Sequence, residues 1–324
     1  FVYNYLAQKQ YDLAQQELDK AVALNLEDRL NPVYHAVIIH YRGELEKAEK
    51  EYLQLGNHPE PGIRYFAANG VMDIHLIKGQ FSQAKMITDL GVASVAQLGV
   101  NWVESEWRAQ LAYFHLRSKN PKLALKESEL AWSAAAEVDN YDKMRMALLF
   151  KGLSYIGLND LEKAQAVADE LRTFIEEGMN PKIIRLFHFL QGRIEMSRGN
   201  WGKAIENLEQ AVSNRNLTSF HPLTWLIDNQ HIWHLYSLAS AYFQVQDYTN
   251  ALEMSERALS LNFNKIGYGD VLSKCHYLKG KIYQEQGLTA QAVASYEQFL
   301  DLWKDADSGL PELTDAQSQL AALR

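Results

Sequence analysis

The chain has 324 residues, a formal net charge of −8 and a single cysteine, Cys275. An acidic balance without basic runs argues against nucleic-acid binding, which depends on clustered Lys and Arg. No stretch of about 18 apolar residues occurs, so membrane insertion is not expected. One cysteine allows neither an internal disulfide nor a cysteine metal cage. The opening FVYNYLAQKQ reads as half a helix, and we interpret the chain as a fragment of a longer protein. We expect it in the cytoplasm, or in the periplasm if a membrane segment precedes it.

A short pattern recurs along the whole chain. In SRGNWGKAIENLEQAV, residues 197–212, a glycine break is followed by an aromatic residue and then by an alanine three positions later. The equivalent alanines, called the anchor alanines below, recur every 34 to 47 residues. They are Ala14, Ala48, Ala84, Ala124, Ala164, Ala204, Ala251 and Ala292. Self-similarity at this period predicts a solenoid of stacked repeats.

Each repeat consists of two stretches with helical periodicity, here called the A and B helices. Apolar residues recur at spacings of three and four, as in 148–156 for an A helix and 161–171 for a B helix. A polar break such as GLND (157–160) or RGN (198–200) separates them, and its glycine or asparagine suits a left-handed helix end. No segment alternates as a strand does, so the prediction is an all-α protein.

The repeat pattern divides the chain into one continuous array over residues 1–324. We predict a truncated first repeat, seven full helix pairs and a capping segment, with the last helix at 312–323. The predicted bounds are 1–28, 29–64, 65–104, 105–144, 145–184, 185–220, 221–271, 272–304 and 305–324. The long spacing between Ala204 and Ala251 marks an insertion at 213–231, with Ser219 as a cap and Pro222 in a helix's first turn. It is either part of a binding face or a tolerated surface extension.

Helix packing explains the residue types at two further positions of the repeat. Twelve residues before the anchors, six of seven residues are Ala or Gly, as at Gly152 and Gly192, which lets two helices approach closely. Three residues before the anchors, Tyr, Phe, Trp or Leu fills the turn between the two helices. This pattern resembles the tetratricopeptide repeat family, strongly at 244–261 and 280–299 and weakly at 105–131, where Pro121 replaces the aromatic residue. The resemblance implies a right-handed superhelix of antiparallel helix pairs.

The closing segment, 295–324, is similar to the ends of repeat arrays in large bacterial signalling proteins. In those proteins a kinase, a cyclase or a winged-helix module precedes the array. The resemblance implies a regulatory or scaffolding role rather than catalysis, and no phosphate-binding loop or nucleophile elbow is present. The best metal candidate is Asp228, His231 and His234, at three-residue spacing. Scattered histidines are more often structural, so we predict no metal, no cofactor and no enzyme activity, and a buried structural Cys275.

The resemblance also implies that the A helices line an inner, concave face. Carried onto this sequence, that register predicts a partner-binding groove formed by Met146, Leu149, Leu186, Phe189, Arg193, Trp233, Tyr236 and Tyr277. Aromatic residues are favoured anchors in binding sites. Alternatively, these residues are the solenoid's own core. The expected function is to hold a protein or peptide partner; the alternative is a small-ligand sensor that changes shape on binding.

Overall fold

The computed structural model describes residues 2–24, 31–98, 101–178, 181–213, 231–261 and 267–324. Within these ranges every regular element is helical. The first eight helices are α1 (Val2–Ala7), α2 (Tyr11–Ala23), α3 (Asn31–Tyr41), α4 (Leu45–Leu55), α5 (Pro61–Ile77), α6 (Phe81–Leu98), α7 (Asn101–Arg117) and α8 (Pro121–Ala136). The others are α9 (Tyr141–Gly157), α10 (Leu161–Glu176), a 3-10 turn (Pro181–Ile184), α11 (Arg185–Ser197), α12 (Trp201–Ser213), α13 (His231–Gln244), α14 (Tyr248–Ser260), α15 (Gly269–Glu285), α16 (Thr289–Leu302) and α17 (Pro311–Leu323).

The helices pack in sequential pairs, α1 with α2 through α15 with α16, and α17 covers the last pair. The chain is therefore an all-α, right-handed solenoid of antiparallel helix pairs, as the sequence predicts. The first pair is short, and seven full pairs follow it within the described residues.

The anchor alanines explain the regular pairing. All eight are completely buried, each one turn into a B helix. The residue three positions earlier begins that helix in every pair, as Tyr11 begins α2 and Trp201 begins α12. Two residues before each B helix the backbone is left-handed, for example at Gly199 (φ 75°) and Asn159 (φ 58°). The predicted break between the two helices is thus confirmed at GLND and RGN.

The small residues before the anchors are required by close helix contacts. A Cβ added to Gly152 would lie 2.5 Å from a methyl carbon of Leu190, and one added to Gly192 would lie 2.7 Å from Leu208. Real Cβ atoms do not approach so closely, so side chains of the neighbouring helices occupy the space that the missing methyl groups leave.

Several A helices are longer than the repeat bounds in the sequence suggest. The helices α5, α7 and α9 span 17 residues each and begin four residues before the predicted bounds at 65, 105 and 145. The predicted last helix, 312–323, is α17. The bound at 221 and most of the insertion, with Ser219, Pro222 and Asp228, lie outside the described residues.

The array also contacts itself, because α5 of the third pair packs on α15 of the eighth. The Asp73 carboxylate accepts hydrogen bonds from the backbone N–H groups of Gly267 (2.6 Å) and Gly269 (3.2 Å). The Ser273 hydroxyl donates to the carbonyl oxygen of Ile77 at 2.7 Å. In a regular solenoid each repeat contacts only its neighbours, so this contact departs from the expected open superhelix.

A second contact lies beside the first, between the start of α6 and the turn that follows α16. The Ser82 N–H and hydroxyl both donate to the Asp307 carboxylate, at 2.8 and 3.0 Å. The ring of Phe81 lies edge-on to that of Trp303, with centroids 6.0 Å apart. The two contacts together close the array between its third and eighth pairs.

Candidate partner-binding face

The structure places the eight predicted groove residues on neighbouring A helices, but it does not leave all of them accessible. Met146, Leu149, Leu186, Phe189 and Trp233 are buried, with Trp233 the most exposed of them at 6 %. Arg193, Tyr236 and Tyr277 are partly exposed. A partner touches only exposed atoms, so in this closed conformation the accessible part of the predicted groove consists of the last three residues.

The buried members fill the centre of the superhelix with aromatic rings. Trp233 is surrounded by Phe189, Tyr113, Tyr268 and Phe150, with ring centroids 5.0, 5.5, 5.4 and 6.3 Å away. These rings come from α7, α9, α11, α13 and the residue before α15, so the inner sides of five successive pairs meet there. Because the array closes on itself, the chain's own side chains occupy the channel that an open superhelix would present.

Charged side chains lie next to the aromatic cluster. Asp270 is completely buried, and its carboxylate accepts hydrogen bonds from the Tyr113 hydroxyl and the Arg117 guanidinium. The Lys274 ammonium lies 3.7 Å from Asp270 and 2.7 Å from the Glu312 carboxylate. Burial lowers the pKa of Lys274, and nearby Arg117 lowers it further, while the two carboxylates oppose this. This network fixes α15 against α7 and α17.

Arg193 is the cation that this network leaves without an acid. Its guanidinium lies 5.7 Å from the ring centroid of Trp233 and 5.9 Å from that of Phe189. No carboxylate of the described residues forms an ion pair with it. Burial, and then the like charge of Arg117, lowers the pKa of Arg193 to about 10. A partly buried cation beside a second cation favours an anion in the space that it faces.

The other accessible residues extend this surface along α13 and α15. The Tyr277 hydroxyl donates to the Asp315 carboxylate at 2.5 Å. The Lys281 ammonium lies 5.6 Å from the Tyr277 ring centroid and 5.5 Å from that of Phe243. Tyr236 is one turn from Trp233 on α13. We use the name inner basic face for Arg193, Tyr236, Tyr277 and Lys281, which combine positive charge with aromatic surface.

The described residues give little support to the other candidate sites, a metal centre and a reactive Cys275. The described residues hold no group of three His, Cys, Asp or Glu side chains placed to share a metal ion. His231 and His234 are buried, and Asp228 lies outside the described residues. Cys275 is completely buried, and burial raises the pKa of its thiol, which disfavours the reactive thiolate. None of the helices in the described ranges is both long and apolar enough to cross a bilayer.

Sequence reasoning missed Arg117, Asp270 and Asp73. Asp73 occupies a register position whose other members are mixed, from Val37 and Leu153 to Arg193 and Lys281, so the sequence did not single it out. Because a buried polar group is almost always hydrogen-bonded, the burial of Asp73 explains why it meets the backbone near Gly267.

Comparison with known proteins agrees with this architecture. The tetratricopeptide repeat family model matches residues 230–305. A crystal structure of a Rap protein complexed with Competence and Sporulation Factor is 13 % identical, with a TM-score of 0.55, and covers 100 % of this chain and 97 % of its own. The apo form of RapI is 11 % identical, with a TM-score of 0.48, over 99 % of this chain and 96 % of its own. A tetratricopeptide repeat protein from Parabacteroides merdae ATCC 43184 is 14 % identical, with a TM-score of 0.47, over 90 % of this chain and 97 % of its own.

No curated protein matches the chain at a significant level. At 13 % identity, the Rap structure shows a shared fold along the whole chain and nothing about a shared ligand. The resemblance to the tetratricopeptide repeat family is therefore confirmed, and the family's own sequence pattern is recognisable in residues 230–305.

Proposed function

We propose that the chain is a non-catalytic regulatory array that binds a protein or peptide partner on its inner basic face. The observation that carries this proposal is Arg193, a partly buried cation without an acid, over the Trp233 ring. The chain as a whole is acidic, with a net charge of −8, so a cation without an acid partner, as Arg193 is among the described residues, is a local exception. Charge complementarity then favours a partner with a carboxylate group, from an acidic side chain or a chain terminus.

The fold supports this role without specifying the partner. Tetratricopeptide-like arrays present long inner surfaces, and the Rap protein that shares this fold was solved with Competence and Sporulation Factor bound. We further propose that the array belongs to a bacterial signalling protein, in which it would regulate an attached module.

Selection from a random peptide library on the immobilised chain tests the proposal. We expect acidic peptides to be enriched and the enrichment to be lost in Arg193→Gln. The matched control is Arg172→Gln, because Arg172 also lies over an aromatic ring, that of Phe187 at 5.3 Å, but on the B helix α10. If Arg193→Gln and Arg172→Gln retain peptides equally, the inner basic face is not the binding surface.

The closure of the array favours a second candidate function, a sensor that changes shape on binding a small ligand. The aromatic centre is accessible only if α5 and α15 separate, so a ligand that binds the open form would shift the array towards it. The radius of gyration from small-angle X-ray scattering, measured with and without a metabolite mixture, tests this candidate. An unchanged radius in the presence of a metabolite that raises the melting temperature would argue against it.

A further inference from the structure

A cavity of about 560 Å³ lies between α4, α5, α6 and α7, away from the inner basic face. Its size falls within the range of roughly 300–1,000 Å³ that is usual for small-molecule sites. The walls are apolar and aromatic, and include Phe66, Ile87, Val103 and Trp107. The four helices are already fixed by their own pairing, so the cavity is part of the fold.

The mouth of the cavity is also apolar. Leu53 on α4 and Leu90 on α6 line it and are 58 % and 64 % exposed. Exposed leucines at the entrance of an apolar cavity extend the surface that an elongated apolar molecule can cover.

One cation lies among these apolar residues. Arg64 is the only charged side chain among the described residues that line the cavity. Its Nη1 donates to the carbonyl oxygens of His58 (2.7 Å) and Pro59 (2.8 Å), which fixes the guanidinium in place. Neither Nε nor Nη2 has a hydrogen-bond acceptor among the described residues, and no acid there pairs with the side chain. Arg64 therefore has donors available for an anionic group.

We infer that this cavity binds a small amphipathic carboxylic acid, with its apolar chain between α5 and α7 and its carboxylate on Arg64. The apolar walls favour the alkyl chain of such an acid, since burial of apolar surface provides most of the affinity in such sites. The fixed guanidinium accounts for the head group, because arginine donors match carboxylate geometry. This site is independent of the partner-binding face, which lies on other helices.

Two glycines provide a matched pair of variants. Gly62, the second residue of α5, lines the cavity, and a Cβ added there would meet no atom within 4 Å. Gly202, the second residue of α12, is equally open but lies outside the cavity. Phenylalanine at either position has the same helix context, so only Gly62→Phe introduces a ring into the cavity.

Isothermal titration of the chain with decanoate and with decanol, each below its aggregation concentration, tests the inference. We expect decanoate to bind the wild-type chain at a single site. Gly62→Phe should lower the affinity for decanoate at least about tenfold, and Gly202→Phe should leave that affinity unchanged. In Arg64→Gln, the affinity for decanoate should fall about tenfold while the affinity for decanol stays the same, because only the acid contacts the guanidinium.

Three results would overturn the inference. They are no saturable binding of decanoate by the wild-type chain, equal binding by Gly62→Phe and Gly202→Phe, and an equal loss of acid and alcohol affinity in Arg64→Gln. If Gly62→Phe melts at a lower temperature than Gly202→Phe, the comparison of acid with alcohol in Arg64→Gln decides instead. None of these measurements involves the inner basic face, so their failure leaves the proposed function intact.

Discussion

The backbone N–H of Gly267 donates a hydrogen bond of 2.6 Å to Asp73, 194 residues earlier in the chain. This contact holds α15 on α5 and closes the array, which in turn buries the aromatic cluster around Trp233. A partner or ligand that needs the centre of the superhelix must separate these two helices. Closure is therefore the structural feature on which the ligand-sensor candidate depends, whereas the inner basic face is accessible in the closed array.

Gly269→Ala should open this contact. A Cβ at residue 269 would lie 2.5 Å from a side-chain carbon of Ile77 and 2.8 Å from the backbone oxygen of Asp73. A backbone atom cannot move aside as a flexible side chain does, so α5 and α15 must separate, at a cost of about 1–3 kcal/mol. We expect a larger radius of gyration from small-angle X-ray scattering and faster hydrogen exchange at Gly267.

Gly202→Ala is the control for that variant, because its added Cβ meets nothing within 4 Å. An unchanged radius of gyration in Gly269→Ala would show that the two helices tolerate the methyl group and that closure does not depend on this close approach.

The pH dependence of stability should contain a contribution from Asp73. Burial raises its pKa from 3.8 to about 8, and Asp270 adds to this, although the N–H groups of Gly267 and Gly269 oppose it. Between about pH 4 and pH 8 the folded chain therefore holds a proton that the unfolded chain has lost. The free energy of unfolding should fall as pH rises through this window, by up to about 1.4 kcal/mol per pH unit.

Asp73→Asn removes this titration, so the fall in stability that Asp73 causes should be absent from the variant's curve. Comparison of the variant with wild type is essential, because burial lowers the pKa of His115, His188 and His276, which makes stability rise with pH below about 6.5. His40, whose Nε2 lies 3.5 Å from the Asp73 carboxylate, faces the same site. Urea unfolding of both proteins from pH 4.5 to 8 gives the difference. Parallel curves would show that Asp73 is ionised in the folded chain.

Trp233→Ala distinguishes a groove anchor from a core residue. Trp233 is 6 % exposed and has four aromatic neighbours, so truncation should cost about 3–5 kcal/mol of folding free energy. Tyr141→Ala is the control, because Tyr141 is 56 % exposed and its loss should cost far less. An unchanged melting temperature in Trp233→Ala, together with a loss of peptide binding, would support the groove anchor instead.

The repeat architecture was predictable because it depends on local spacing. An alanine such as Ala164 is needed wherever a B helix crosses its A helix, and the turn before it recurs with the same backbone in every pair. The register also placed Phe189 and Trp233 on neighbouring A helices, and their rings do meet. The sequence left open whether these two residues line a groove or the core, because closure of the array rests on contacts between residues about 194 positions apart, which no periodic pattern records. The cavity at Arg64 could not be predicted from the sequence either, because four separate helices form its walls.

The turns between the helices lead to the last prediction. In each described turn between an A and a B helix, the residue two positions before the B helix has a left-handed backbone. In the turn before α14 this residue is Gln246 (φ 61°) rather than a glycine. The left-handed conformation costs an ordinary residue roughly 1–2 kcal/mol, whereas glycine adopts it freely but loses about 0.5–1 kcal/mol more backbone entropy on folding. Gln246→Gly should therefore stabilise the chain by about 0.5–1 kcal/mol, measured by urea unfolding. The control is Gln244→Gly, since Gln244 is an exposed residue of α13 two positions earlier, where glycine should destabilise by up to about 1 kcal/mol. If both variants lose stability, the turn at Gln246 is not strained, and the recurrence of glycine at Gly199 and its equivalents has another cause.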